Sequence, residues 1–471
     1  MGSEVGAPVI PKPRRALHTQ YLPTPEEFEP RPKNSGLYPG EPEECRRSVR
    51  PFLRTFAHLL LLFAVFKVYR IEERAFQGRA FQTLVALAIL ALPVHYLVPF
   101  RFKKPLFVAI SVIGLFWVFG SQVALVVLIL AALLIGICFL PIPWIARVSI
   151  AATLAVGIAW GRAEITPSLV PGNVWPIVAS MFMFRLIVYL YELKHAERRE
   201  SLIDTLGYFF LLPNYCFMHF PVVDYRTMQR GYFAADVHAM QQRGLQMMFR
   251  GTVHLLCYRL VYHELLISPN RVHDLVSLAG YVVCNYLLYL QVSGQFHIAC
   301  GMLHLFGFQL PETHHHYLLA TGFTDYWRRI NIYWKDFMIR IVFNPVVFRL
   351  KRWPRPFALA AATVSVFLAT WLLHAYQSYW LRATWGFTLP DALFWGILGA
   401  LVLVNVQLDA RGGSARSRNC CPGPAWMWAR LGNRAIKVVG MFIAVAMLWS
   451  LWSSPSLSAW FDLIHRGIYG S

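Results

Sequence analysis

The chain has 471 residues, of which 57% are hydrophobic and 14% charged, and its mean hydropathy is +0.46. A soluble domain carries about 25% charged residues, so this balance excludes a water-soluble enzyme or binding module and predicts an all-α, polytopic integral membrane protein. The net charge of +20 lies in tails and short loops between apolar runs, where Lys and Arg set topology and meet the headgroups of membrane lipids; that distribution argues against a nucleic-acid partner.

Residues 1–50 carry Pro8, Pro11, Pro13, Pro23, Pro25, Pro30, Pro32, Pro39 and Pro42 among Lys, Arg and Glu, without apolar periodicity. This composition predicts a disordered basic tail, and it lacks the early apolar core and cleavage site of a signal peptide. Arg46, Arg47, Arg50 and Arg54 precede the first apolar run and predict a cytoplasmic N-terminus, although Lys67, Arg70, Arg74 and Arg79 load the other side of it. Residues 51–471 read as a single helical membrane domain.

Apolar runs follow at roughly 52–69, 80–98, 105–120, 121–140, 144–160, 173–193, 201–220, 244–267, 273–292, 356–381, 390–408 and 434–453. A helix crossing the hydrocarbon core needs about 20 residues. Several runs are shorter, or are broken by proline, as in LPIPW at 140–144 and LLPNYCFMHFP at 211–221. About ten to twelve membrane segments are expected, some of them broken or re-entrant, with their free backbone ends covered by protein or by a water-filled interior. The loop at 409–433 reads as a flexible connection, and 455–467 as an amphipathic interfacial segment. Cys138, Cys257, Cys284 and Cys300 lie in apolar runs, and the Cys420-Cys421 pair lacks zinc-site spacing, so no disulfide framework or metal centre is implied.

Polar, aromatic and basic residues are concentrated between His297 and His374. The stretch 323–342, FTDYWRRINIYWKDFMIRIV, has the length of one helix, with Thr324 or Asp325 as its cap. On such a helix Asp325 faces Arg328 and Arg329, and Asp336 faces Arg340. Trp327 and Trp334 then serve either as headgroup anchors of an interfacial helix or as part of a buried site. His374 lies in ATWLLHAYQSYW, in a run with no charged residue between Arg355 and Arg382. It reads either as a satisfied structural histidine or as a general base with a pKa near working pH. His314, His315 and His316 are adjacent, which is poor geometry for one ion, and no Cys or carboxylate is spaced to complete a shell. The run therefore reads as a loop feature. G-x-S-x-G, P-loop and G-x-G-x-x-G patterns are absent, which removes the usual serine-hydrolase, NTPase and dinucleotide readings.

Taken in order, SGQFHIACGMLHLFGFQLPE, YLLATGFTDYWRRINIYW and ATWLLHAYQ resemble the membrane-bound O-acyltransferase superfamily. The nearest likeness is to the bacterial branch that O-acetylates alginate or D-alanylates teichoic acid. The resemblance covers about 175–405, including MFMFRLIVYLYELKHAERRE and YFFLLPNYCFMHFPVVDY. It rests on Ser293-Gly294 running into Phe306-Gly307-Phe308, on Trp327-Arg328-Arg329-Ile330-Asn331-Ile332-Tyr333, and on Leu373-His374-Ala375. The sequence departs from the branch at His297, where an acidic residue often stands, and at Leu373 and Ala375, where Trp and Gly flank the histidine.

The resemblance implies a ring of helices around a central tunnel and catalytic roles for His374 and Asn331. His374 would take a proton from an acceptor hydroxyl attacking an acyl thioester, a step worth about 10²–10⁴-fold in rate. The Asn331 amide would orient the carbonyl or stabilise the oxyanion, worth about 3–4 kcal/mol. Trp327, Arg328, Arg329, Tyr333, Asp336, Ser293, His297 and Gln377 are the substrate-binding candidates. The implied activity moves an acetyl or other short acyl group from a cytoplasmic thioester, acyl-CoA or an acyl carrier, to a hydroxyl of a glycan or lipid-linked acceptor. No tightly bound cofactor is implied; the thioester is a co-substrate. The implied location is the bacterial inner membrane, and delivery to a polysaccharide would need a separate extracytoplasmic acyltransferase partner. A transporter or scramblase, a glycan polymerase or ligase, and a catalytically dead relative remain alternatives at this stage.

Overall fold

The computed structural model describes residues 49–71, 80–164, 170–172, 174–178, 184–194, 201–212, 223–412 and 424–470. The expected tail at 1–48, most of the proline-broken stretch at 211–221 and the Cys420-Cys421 pair lie outside the described residues. Residues 48–471 form one compact unit.

Eighteen α-helices run through the described residues, which contain no strand. They are α1 (Val49–Val68), α2 (Ala80–Leu97), α3 (Phe100–Phe139), α4 (Trp144–Glu164), α5 (Val174–Val178), α6 (Phe184–Leu193), α7 (Leu202–Phe209), α8 (Tyr225–Gly231) and α9 (Val237–Leu260) in the first part. α10 (Leu275–Leu287), α11 (Leu290–Leu305), α12 (Phe323–Arg329), α13 (Ile332–Met338), α14 (Asn344–Arg349), α15 (Arg355–Arg382), α16 (Leu389–Gly412), α17 (Pro424–Trp452) and α18 (Leu457–Tyr469) follow. Among the described residues, seven helical stretches are long and apolar enough to cross a membrane: 49–68, 100–139, 144–162, 275–305, 355–382, 389–408 and 431–452. The protein is an all-α, multi-pass membrane protein.

α3 shows how the segments are cut. Its 40 residues would span about 60 Å as a straight rod, twice a hydrocarbon core of about 30 Å. Gly120 interrupts it with φ 79° and ψ 170°, a conformation essentially reserved for glycine. The break falls where the two apolar runs meet in the sequence, so α3 is two membrane-length pieces. The described residues of the run 173–193 form α5 and α6, and those of 201–220 include α7.

The tightest packing joins α9 to α11 antiparallel. A Cβ on Gly244 would stand 2.6 Å from the Gly301 carbonyl oxygen, and one on Gly251 would stand 2.5 Å from that of Gly294. Both pairs are spaced seven residues apart, so two turns of each helix meet backbone to backbone, the small-residue packing that lets membrane helices approach closely. At the other end of the chain, Ser456 Oγ accepts from Ala459 N at 3.1 Å to cap α18. Leu463 and Gly467 are buried on one face of that helix while Phe461 and Ile468 stay exposed, which gives it the expected two faces.

Two local expectations are corrected. The stretch 323–342 is not one helix: it divides into α12 and α13 at Ile330-Asn331 and continues as a π-helical turn, Ile339–Phe343. The connection read at 409–433 is shorter, because α16 continues to Gly412 and α17 begins at Pro424, a residue whose fixed φ suits the first position of a helix.

Candidate active site

α12 begins after Gly322, which has no side chain with which to cap it. Asn405 of α16 supplies the acceptor, with Phe323 N donating to Asn405 Oδ1 at 2.9 Å, so the start of α12 is tied to a membrane span. Asp325 is not the cap. It accepts from Thr321 N at 3.0 Å, Thr321 Oγ1 at 3.2 Å and Arg329 Nε at 2.7 Å. Burial alone would raise its carboxyl, but Arg329 and the Thr321 donors outweigh burial and hold it below the usual carboxylate value.

α12 stops because Asn331 turns left-handed, with φ 38°, a conformation asparagine tolerates better than most side chains. Its Oδ1 accepts from Trp334 N at 3.3 Å and so starts α13. Two backbone bonds clamp the turn from the preceding loop: His315 N donates to Arg329 O at 2.9 Å, and Ile332 N donates to Thr313 O at 2.8 Å. The cap uses only the oxygen of Asn331 and leaves its amide Nδ2 as a donor.

The clamped turn aims Trp334 at α15. Its ring lies 5.3 Å from the His374 imidazole, and its Nε1 donates to Thr370 Oγ1, one turn before His374, at 3.4 Å. Trp395 of α16 also packs on His374 at 4.8 Å, and Trp452 of α17 stands edge-on at 6.2 Å. His374 is half-buried among three indoles. Trp327 packs on Phe367 at 4.8 Å, so this indole faces protein and is not a headgroup anchor.

Asn331 and His374 thus flank Trp334, and Trp327 packs with Trp334 against the same buried cluster, which includes Phe337 and Met338. Gln377 is half-buried one turn beyond His374 on the same helix face, and Arg328 is exposed. Tyr333 turns away: it is buried, and its OH donates to Pro311 O at 2.7 Å. Asp336 does not face Arg340. It pairs with Lys335 Nζ at 2.9 Å, because the π-helical turn changes the register before Arg340. Burial raises the Asp336 carboxyl despite Lys335 beside it. Arg340 Nη1 instead meets Glu192 Oε1 at 2.5 Å and Asp224 Oδ1 at 3.3 Å. Burial and the Asp224 charge push Glu192 up to about 7, against the pull of Arg340.

Ser293 and His297 belong to a second cluster at the α9–α11 seam. Ser293 Oγ lies 2.9 Å from His254 Nδ1 and 3.3 Å from Tyr317 OH. The His297 ring packs on His254 at 5.4 Å and on His314 at 5.9 Å. His314 is more than a loop feature, since it is 1% exposed and its Nε2 lies 2.9 Å from Tyr289 OH. Burial, reinforced by His297 and His254, pushes its imidazole well below the ordinary value. Among the described residues no three His, Cys, Asp or Glu side chains are grouped to hold a metal ion.

Sequence reasoning missed His254, the Glu192–Asp224–Arg340 group and Asp391 of α16. A signal existed for His254, because Gly244 and Gly251 match the spacing of Gly294 and Gly301 and so place it near Ser293. Asp391 also left a trace, an acid at the head of the apolar run 390–408. Nothing local announced the meeting of Glu192, Asp224 and Arg340, which come from three separated segments. Compared with known proteins, the chain matches no family model and no curated protein.

Proposed function

We propose that the protein is a membrane-bound O-acyltransferase that moves an acetyl or other short acyl group from a cytoplasmic thioester to a hydroxyl of a glycan or lipid-linked acceptor. The observation that carries this reading is the chain from Asn331 through Trp334 to His374. It brings Asn331, whose side-chain oxygen accepts from the Trp334 backbone N, and a half-buried imidazole, which packs on the Trp334 ring, to one residue, on elements 43 residues apart in sequence.

In this reading His374 accepts the acceptor hydroxyl proton as the oxygen attacks the thioester carbonyl. A C–O bond forms, the carbonyl oxygen gains negative charge facing the Asn331 amide, and the C–S bond breaks. The proton passes from His374 to the departing thiolate, giving an ester and a free thiol. The thioester is a co-substrate. The proposed setting is the bacterial inner membrane with a cytoplasmic N-terminus, with membrane lipids around the bundle and a separate extracytoplasmic acyltransferase as partner for polysaccharide delivery.

The test compares base-labile acyl esters on envelope glycans and lipids in cells that carry the protein, lack it, or carry His374→Ala shown to be folded and inserted. The expected result is an ester present with the protein and reduced with His374→Ala to the level of cells without it. Undiminished ester with His374→Ala would remove the base assignment, and no ester difference between cells with and without the protein would remove the activity.

A further inference from the structure

Asp391 is a carboxylate inside a membrane-spanning stretch that the proposed chemistry does not use. It stands in the first turn of α16 and is 8% exposed. An ionisable group so placed is costly unless hydrogen-bonded, and such groups are commonly functional. Both of its oxygens are engaged by indoles from other helices: Trp371 Nε1 of α15 donates to Oδ2 at 2.5 Å, and Trp452 Nε1 of α17 donates to Oδ1 at 2.6 Å. An indole nitrogen only donates, so each needs an acceptor when buried. A carboxylate serves two at once, and its charge strengthens both bonds.

Both indoles belong to the surroundings of His374. Trp371 precedes it by one turn on the same helix face, and the Trp452 ring stands edge-on to the imidazole. Trp395, one turn after Asp391 on α16, packs on the imidazole at 4.8 Å. One side chain therefore joins α15, which carries His374, to α16 and α17, which both pack on the imidazole. We infer that Asp391 is a positioning residue for His374, holding Trp371 and Trp452 so that the imidazole keeps its place and angle. The kinetic arm of the test rests on the proposed acyl transfer; the spectroscopic arm does not.

The test uses the full-length chain in lipid bilayers with isotope-labelled histidine, the His374 ring resonance being identified by its loss in His374→Gln. Asp391→Asn keeps the size but opposes an amide donor to an indole N–H, Trp452→Phe keeps a ring without the donor, and Asp391→Glu restores the carboxylate. Asp391→Asn and Trp452→Phe should each move the His374 resonance and leave those of His254 and His297 in place. They should lower kcat for acyl transfer by about 10–100-fold with little change in KM for the thioester, and Asp391→Glu should recover part of the loss. An unmoved His374 resonance overturns the inference, as does an equal shift of all three histidines, which would make Asp391 a general tie between helices. If His374 responds while the wild-type protein transfers no acyl group, the positioning role stands and the acyltransferase reading falls. If Asp391→Asn fails to insert, Trp452→Phe decides by the same criteria.

Discussion

The histidine cluster at the α9–α11 seam and the single His374 are built in opposite ways. At the α9–α11 seam the helices meet backbone to backbone through paired glycines; His297 of α11 and His314 of the following loop are buried there, and the half-buried His254 of α9 meets Ser293 Oγ. Around His374 the helices are held apart by indoles, and the imidazole stays half-buried. Close backbone approach goes with full burial of His297, whereas the wall of large rings leaves His374 partly exposed.

The sharpest way to break the comparison is to fill the seam. In Gly251→Val the new side chain would meet the Gly294 carbonyl and Ile298, and overpacking of this kind costs about 1–3 kcal/mol or more. Thermal unfolding in detergent should show a large drop in Tm, whereas Gly280→Ala, at a helical position with nothing within 4 Å, should hold Tm or raise it. Next in size is His297→Leu. His297 Nδ1 is buried without a hydrogen-bond partner, and an unsatisfied buried polar group costs about 1–3 kcal/mol. The leucine variant should therefore match or exceed the parent Tm, and a steep loss would show that the sealed cluster carries stability through its polar atoms.

Smaller effects come from the charged groups beside α12 and α13. Asp325→Asn weakens the bond to Arg329 and should lower Tm slightly, by about 0.5–1 kcal/mol in stability for a partly exposed pair. The carboxyl of Asp325 is held below its ordinary value, so its contribution is present above that value and is lost as pH falls through the folded one. Urea or thermal unfolding compared at neutral and acid pH should show parent and variant converging in acid. The smallest change is one of shape. Glu192 is raised from 4.5 to about 7, so across that window the folded protein holds a proton that the unfolded chain releases, and stability falls as pH rises. Glu192→Gln should flatten the Tm profile between those two values, and an unchanged slope would place the proton elsewhere.

The membrane class, the long spans and the cut at Gly120 are legible in the sequence because they depend on local apolar length and on one residue's backbone freedom. His374 stands out for a similar reason, as a polar residue in a long uncharged run. The pairing of Asp336 with Arg340 fails because helical spacing assumes one continuous α-helix, and the π-helical turn from Ile339 breaks that assumption. Trp334 is the instructive case. Its place in the sequence suits a headgroup anchor as well as a buried site, and the clamp from Thr313 and His315 fixes the turn that sets it against His374. Contacts such as Asp391 with Trp452, or Glu192 with Arg340, join segments 61 and 148 residues apart, and no periodicity within one segment encodes them.

The paired glycines of α9 and α11 also act as an address. Two contact points seven residues apart on each helix admit full engagement in a single antiparallel register, because sliding by one heptad leaves only one pair matched. The chain between these helices passes through the exposed stretch 268–271, which carries no seam glycine. A protein severed there would consist of two membrane pieces that still carry complementary shapes, and co-expression of residues 1–269 with residues 270–471 should yield one co-purifying unit.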